Sequence, residues 1–260
     1  MRELPFEVQD LGRTSYADAY AVQAARQQAV IEARESGGLS PPTVGYLLLV
    51  EHDPVITISR RAGAAKHLVA SAEQLANAGV AVAETDRGGD ITYHGPGQLV
   101  VYPILDLSAM NLGLHAYMRM LESAVIRVCA RFGVAAGRDE GATGVWTSPG
   151  PDSPAAKICA MGVRVKRWVS MHGLALNVST NLAHFALIVP CGLAGRGVTS
   201  LEHELGPRCP SMDSVKAELV ESLATEVRAA IHTAAVRRAE AAADSADVQR
   251  GVPGSGLAGA

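Results

Sequence analysis

The spacing of apolar positions predicts helices at both ends of the chain and short strands between them. From Leu112 to Phe132, apolar residues recur at steps of three and four, which is typical of a helix that buries one face. Helices are also predicted from Tyr16 to Glu35, which is rich in good helix formers and preceded by Ser15 as N-cap, and from Met212 to His232. A Ser-x-x-Gln capping pattern favours a short helix from Ser71 to Ala78.

Short apolar runs bounded by turn residues predict the strands. These runs are Gly45 to Val50, Val55 to Ile58, Val80 to Val82, Leu99 to Leu105, Gly144 to Trp146, Lys157 to Val165 and Met171 to Val178. The later runs follow one another through brief turns, which is typical of antiparallel strands. We therefore predict an α+β fold with a mixed, largely antiparallel sheet flanked by helices.

Composition and charge restrict the classes of function. The 260 residues are 48% hydrophobic and 19% charged, which is ordinary for a globular protein with a buried core. The net charge of −3 argues against a nucleic-acid partner, and no segment approaches the roughly 18 apolar residues of a membrane span. The first residues lack the apolar centre of a signal peptide, so a cytoplasmic location is expected. We predict one domain over residues 1–233 and a disordered Ala- and Gly-rich tail over residues 234–260.

One of the four cysteines stands in a context that favours reactivity. The cysteines form no CxxC pair, which fits neither a disulfide framework nor a zinc site, and His94 and His172 lack a third ligand at a recognisable spacing. Cys191 lies between a proline and a glycine, at a corner that favours an exposed thiol. Lys157 would lower the pKa of that thiol if the two faced each other. On the residues alone, a buried packing thiol and a solvated lysine are the alternatives.

The stretch from Arg87 to Gln98 holds four glycines, one proline and many different polar residues. We interpret it as a tight polar loop that leads into the strand at Leu99, with a plain Gly-rich turn as the alternative. Gly162, in the interior of a predicted strand, indicates close approach of a ligand or of another backbone. The small residues from His172 to Asn177 repeat that sign.

These segments together resemble the octanoyltransferases of the lipoate pathway, also called lipoyl(octanoyl) transferases. The stretch from Arg87 to Gln98 is similar to their RGGxxTYHGPGQ signature. The similarity continues, in the same order, through Gly144 to Trp146, Lys157 to Arg164, His172 to Asn177 and Ile188 to Gly192. It implies the fold of the biotin and lipoate protein ligases.

The resemblance also implies a reaction and its partners. An octanoyl group would pass from octanoyl-acyl carrier protein to a lysine of lipoyl domains, the first step of endogenous protein lipoylation. The acceptors would be the E2 subunits of 2-oxoacid dehydrogenases and the glycine cleavage H protein. No metal and no nucleotide cofactor are implied, because the thioester donor is already activated.

Residue roles follow from the same resemblance. Cys191 corresponds to the nucleophile that forms an acyl-thioester, and Lys157 corresponds to the lysine that lowers the thiol pKa and shuttles protons. The implied substrate-binding residues are Arg87, Gly88, Gly89, Asp90, Ile91, Thr92, Tyr93, His94, Ala160, Met161, Gly162, Gly173, Leu174 and Ala175.

Two further hypotheses concern the glycines, and three other functions stay open. Gly162 and Gly173 are expected to leave room for an extended eight-carbon chain. Backbone N–H groups at Gly88 and Gly89 are expected to donate to the thioester oxygen as it becomes an oxyanion. The alternatives are an ATP-dependent lipoate or biotin protein ligase, an amidotransferase that moves octanoyl between lipoyl domains, and a non-catalytic acyl-binding protein.

Overall fold

The computed structural model describes residues 3–37, 43–147, 155–189 and 196–250. Its elements are β1 (Glu7–Thr14), α1 (Tyr16–Glu35), β2 (Gly45–His52), β3 (Val55–Ser59), α2 (Ala72–Ala78), β4 (Ala81–Thr85), β5 (Ile91–His94), β6 (Gln98–Leu105), α3 (Leu114–Arg131), β7 (Ala136–Gly137), β8 (Val145–Thr147), β9 (Lys157–Lys166), β10 (Val169–Asn177), α4 (Leu201–Leu205) and α5 (Met212–Arg250). Short 3-10 helices lie at Ala64–His67, Leu182–Leu187 and Gly206–Arg208.

The described strands form two sheets. The larger has seven strands in the order β1-β2-β6-β10-β9-β8-β7, and the smaller has the order β4-β3-β5. Neighbouring strands are antiparallel except for the pairs β1–β2 and β3–β4. The prediction of a mixed, largely antiparallel sheet flanked by helices is therefore confirmed.

Both faces of the large sheet are covered, which explains the continuous apolar runs in its strands. Leu47 and Leu49 of β2 pack into a core that includes residues of α3 and α5. Leu48 and Val50, on the opposite face, pack against α1 residues such as Ile31. This alternation follows from the two-residue period of a strand.

Helices α1, α2 and α3 begin and end close to their predicted limits. Ser15 caps α1 by accepting a hydrogen bond from the Asp18 N–H, and Ser71 forms the predicted capping box with Gln74. Cys129 lies fully buried on α3, as expected for a small hydrophobic side chain.

The structure corrects the sequence interpretation in three places. The stretch from Arg87 to Gln98 is not only a loop, because Ile91–His94 pairs with β3 as a strand of β-branched and aromatic residues. Strand β1 was not predicted, since this edge strand is largely half-exposed and has no apolar run. Helix α5 does not end at His232 but continues as far as Arg250, through an alanine-rich stretch for which disorder was expected. Residues 251–260 lie outside the described residues.

Candidate active site

A pocket lies where β6, β9 and β10 of the large sheet meet β5 and the segment before it. Its empty space, including the part open to solvent, is about 480 Å³. The lining residues are Tyr16, Arg87, Gly89, Asp90, Ile91, Thr92, His94, Val100, Tyr102, Ala160, Met161, Gly162, His172, Gly173, Leu174 and Ala175. The structure thus brings together every residue predicted to bind substrate except Gly88 and Tyr93.

Tyr93 lies outside the pocket lining, and its side chain is on the side of β5 opposite to Thr92 and His94. Its ring is fully buried in the cluster behind the small sheet, and its hydroxyl oxygen is hydrogen-bonded to Nδ1 of His184 at 2.7 Å. Thr92 and His94, its neighbours along β5, line the pocket instead.

The two strand glycines are required by close backbone packing. Gly162 and Gly173 are register partners in β9 and β10. A Cβ at Gly162 would lie 2.5 Å from the carbonyl oxygen of Gly88, and one at Gly173 would lie 2.2 Å from that of Val101. The expected close approach is therefore to backbone, and the space of each missing Cβ is filled by protein rather than left for an acyl chain.

The Arg87-Gly88-Gly89 segment is hydrogen-bonded to both sheets. The Arg87 guanidinium donates to the carbonyl and the hydroxyl of Thr57, at 3.1 and 3.0 Å. The Gly88 N–H donates to the Val163 carbonyl at 2.9 Å. Because that N–H is already used, the hypothesis that Gly88 donates to an oxyanion is wrong. Gly89 lines the pocket and stays the candidate donor.

Lys157 lines a cavity that adjoins this pocket and that we call its mouth. This second cavity shares Gly89, Asp90, Met161 and Gly162 with the first and is lined by Lys157 on its other side. The lysine is only 7% exposed. Its Nζ lies 4.7 Å from the centre of the Trp146 ring, and the Arg196 guanidinium lies 3.8 Å from the same ring. Two cations therefore contact one indole here.

Cys191 lies outside the described residues, but the chain on either side of its segment is anchored at the mouth. The Val189 N–H donates to the carbonyl of His67 at 2.7 Å. The His67 ring bonds in turn to the buried carboxylate of Asp90 at 2.8 Å. Beyond the undescribed residues, Gly197 accepts a hydrogen bond from the Lys157 N–H at 2.9 Å.

Four lining residues were missed by sequence reasoning. They are Tyr16, Val100, Tyr102 and His172. Tyr16 belongs to a predicted helix, and Val100 and Tyr102 to an apolar run, so each was indistinguishable from an ordinary core position. His172 was considered only as a metal ligand. Its positive φ of 61°, rare for a residue other than glycine, appears only in the structure.

Burial keeps the rings of this region neutral. It lowers the pKa of His52 to about 4 and that of His94 to about 3, and raises the pKa of Tyr102 well above its usual value. The pKa of His172 is lowered by burial too, although its bond to Asp86 opposes this shift. Burial also raises the pKa of the Cys159 thiol, which suits a packing residue better than a nucleophile.

Within the described ranges, no group of three or more His, Cys, Asp and Glu residues could hold a metal ion. No helix in the same part of the chain is both long and apolar enough to cross a membrane.

Comparison with known proteins places the chain in a family. Residues 19–224 match the lipoyl protein ligase A/B catalytic domain. An octanoyltransferase of Flavobacterium johnsoniae is 44% identical over 84% of this chain and 94% of its own length. One of Bacteroides fragilis is 48% identical over 83% of this chain and 93% of its own. The chain belongs to the octanoyltransferase family. It is an acyltransferase, and its relatives indicate a function in protein lipoylation.

Solved structures confirm the fold of this octanoyltransferase-family protein. A bipartite lipoate protein ligase of Thermoplasma acidophilum superposes with a TM-score of 0.60 at 17% identity, covering 87% of this chain and 85% of that one. A lipoate-protein ligase A bound with ATP gives 0.60 at 16% identity, covering 86% and 85%. These likenesses concern the fold alone.

Proposed function

We propose that this enzyme moves an octanoyl group from octanoyl-acyl carrier protein to a lysine of lipoyl domains through a thioester on Cys191. The observation that carries the proposal is the pocket, which gathers the residues implied by the octanoyltransferase signature and has Lys157 at its mouth. The acceptors are the E2 subunits of 2-oxoacid dehydrogenases and the glycine cleavage H protein, and the reaction is cytoplasmic.

The pocket walls suit an extended acyl chain. Ile91, Val100, Met161 and Leu174 supply apolar surface on several sides. Burial of an alkyl chain contributes about 0.8 kcal/mol per methylene, or on the order of 5 kcal/mol for octanoyl. This free energy is enough to select a chain of medium length.

The transfer takes place in two balanced steps. In the first, the Cys191 thiolate attacks the carbonyl carbon of the donor thioester, and the carrier leaves as a thiolate that takes up a proton. In the second, the neutral amine of the acceptor lysine attacks the enzyme thioester, the amide bond forms, and the Cys191 sulfur leaves as a thiolate. The proton that the amine loses offsets the proton that the carrier takes up in the first step. The Gly89 N–H would donate to the carbonyl oxygen in both steps.

Lys157 would supply the positive charge that the thiolate needs. Its ammonium lies in a buried position against Trp146, where charges interact more strongly than in water.

The acceptor assignment has independent support from a structural relative. The Thermoplasma ligase was studied together with its own E2 lipoyl domain. The shared fold supports the same class of acceptor for this enzyme.

Intact-mass spectrometry tests this proposal. The protein is mixed with octanoyl-acyl carrier protein, and we expect a mass increase of one octanoyl group that is absent from a Cys191→Ala protein. Addition of a lipoyl domain should then move the group to the domain. An enzyme that instead acylates the domain only with free octanoate and ATP would be a ligase. One that accepts octanoyl only from another lipoyl domain would be an amidotransferase.

A further inference from the structure

The end of the pocket remote from Lys157 is closed by a cluster of aromatic rings. Tyr16, His94, Tyr102 and His172 line the pocket, and none of them lines the cavity that holds Lys157. His52 lies at the centre of this ring cluster, with centroids 5.6 Å from Tyr16, 5.7 Å from His94 and 5.9 Å from Tyr102. The distal end of a bound acyl chain would therefore meet polar rings.

The tautomer of His94 is fixed by a chain of amide groups. Asn177 donates its amide N–H to the Thr199 carbonyl at 2.9 Å, and its oxygen accepts from Gln98 Nε2 at 2.9 Å. Gln98 Nε2 also donates to the Tyr93 carbonyl, so Gln98 Oε1 faces His94 Nδ1 at 2.7 Å. His94 must then carry its proton on Nδ1, which leaves a lone pair on Nε2.

The direction of the Tyr102 hydroxyl proton is fixed by His52. Nδ1 of His52 lies 3.2 Å from the Thr14 carbonyl, which can only accept, so the ring proton is on Nδ1. Nε2 of His52 therefore accepts the Tyr102 hydroxyl proton at 2.7 Å. The Tyr102 oxygen has only lone pairs left for any other partner.

His172 and Tyr16 follow the same rule. Asp86 accepts the Nε2 proton of His172 at 2.8 Å, which leaves the lone pair of Nδ1. Tyr16 donates its hydroxyl proton to the Thr85 hydroxyl at 2.7 Å. The guanidinium of Arg87 lines the same pocket, and it donates to Thr57 and to the Gly88 carbonyl.

The ring protons of all four residues are thus held by residues outside the pocket lining, namely Gln98, His52, Asp86 and Thr85, and each ring keeps a hydrogen-bond acceptor. A terminal methyl group offers such acceptors nothing, whereas a hydroxyl group supplies the missing proton. We propose that the far end of the pocket is a hydrogen-bond-acceptor site, and that the enzyme also transfers medium-chain acyl groups with a hydroxyl on the distal carbon. This inference rests on the proposed acyl transfer and adds a substrate class to it.

A matched pair of acyl groups tests the inference. Nonanoyl and 8-hydroxyoctanoyl differ only in whether the last heavy atom is a methyl carbon or a hydroxyl oxygen. Each is loaded onto acyl carrier protein, and kcat/KM for transfer to a lipoyl domain is compared with that for octanoyl. A net hydrogen bond of ordinary strength predicts about a tenfold preference for 8-hydroxyoctanoyl over nonanoyl. A plain apolar pocket would prefer nonanoyl, and that result would overturn the inference.

Single-atom variants locate the effect. Tyr102→Phe and Tyr16→Phe each remove one acceptor oxygen and should lower the preference for the hydroxylated chain to about threefold or less. Tyr117→Phe is the matched control, because this buried tyrosine donates to the Pro103 carbonyl outside the pocket. An unchanged preference in both test variants would contradict the assignment. If Tyr102→Phe does not fold, Tyr16→Phe decides.

The outcome separates this inference from the proposed function. Transfer of octanoyl together with a preference for nonanoyl would leave the proposed function intact and remove only the inference. Absence of octanoyl transfer would remove the proposed function. In that case, calorimetric binding of 8-hydroxyoctanoate against nonanoate still tests the acceptor site, and tighter binding of nonanoate would refute it.

Discussion

The two ends of the pocket are built from opposite kinds of side chain. At the mouth, Lys157 and Arg196 place two cations against the Trp146 ring. At the far end, His94 and Tyr102 are buried and neutral and are held in fixed proton positions by their neighbours. Charge is thus concentrated where a thioester would react, and neutral polarity is placed where an alkyl chain would end.

Of the changes considered, removal of the Lys157 cation at the mouth should have the largest effect on the rate of octanoyl transfer. We expect Lys157→Ala to lower the rate of octanoyl transfer by about 10² to 10⁴, the usual contribution of a group that handles protons. The thiol of Cys191 should titrate below about 8.5 in the wild type and higher in the variant, because the neighbouring positive charge is lost. Alkylation rates followed against pH measure both values.

Lys166→Ala is the control for this change, since Lys166 is exposed at the other end of the same strand. It should leave both the transfer rate and the thiol pKa unaltered. If Lys157→Ala folds normally and gives the wild-type alkylation profile, the pairing of Lys157 with the thiol is disproved.

Acid should lower the stability of the protein, because two buried histidines at the far end of the pocket are neutral in the folded state. His52 and His94 have folded pKa values of about 4 and about 3, below the ordinary value of 6.5. The unfolded chain therefore takes up protons first as the pH falls. The free energy of unfolding should decline from about pH 6.5 downwards, by roughly 2 kcal/mol per ring at pH 5. Urea unfolding at about pH 6.5 and at about pH 5 measures how steeply the free energy of unfolding falls with pH.

His94→Gln should flatten that slope, whereas His203→Gln should not, because His203 is exposed on α4. A wild-type stability that is constant between about pH 7 and about pH 5 would show that these rings are not buried in their neutral form.

Addition of a single methyl group at Gly162, which lines both cavities, should lower the stability of the protein. In Gly162→Ala the new Cβ meets the Gly88 carbonyl at 2.5 Å, so we expect a loss of about 1–3 kcal/mol in stability and a weaker acyl transfer. Gly137→Ala, also in a strand, adds its methyl group to open space. Gly162→Ala should unfold at a lower temperature and transfer acyl groups more slowly than Gly137→Ala. Equal unfolding temperatures and equal transfer rates of the two variants would exclude close packing at Gly162.

The smallest effect is expected at the Trp146 ring. Trp146→Leu removes the aromatic face from Lys157 and Arg196 and should cost about 0.5–2 kcal/mol of cation–π attraction, seen as a slower transfer. Trp146→Phe keeps a face and should lose less. Trp168→Leu changes an exposed tryptophan, 56% accessible, and serves as the control. A leucine variant as fast as the phenylalanine variant would argue against the cation–π contact.

Local patterns made much of the fold predictable. The helical stripe on α3 and the apolar runs of β2 and β6 reflect burial that each segment encodes by itself. Edge strand β1 escaped prediction because a half-exposed strand needs no apolar run. The extension of α5 escaped because an alanine-rich composition suits both a helix and an unpacked tail.

The candidate site was predictable where a motif is continuous in sequence. The segments around Gly89 and Gly162 were found from their unusual glycines. Tyr93 was predicted to bind substrate but lies outside the pocket lining, since the alternation of β5 was hidden within a supposed loop. Tyr16 and His172 were missed because their position depends on how α1 packs against β10, which no local pattern encodes.

The pocket is closed by contacts between distant parts of the chain, such as the bond from Asp86 to His172 across 86 residues. Contacts of that range form late, because the intervening chain must first be brought together. A ribosome-bound polypeptide that stops short of β10 accordingly lacks one wall of the pocket. Under the proposed function, a newly made molecule would accept no acyl group until the β9–β10 hairpin has docked.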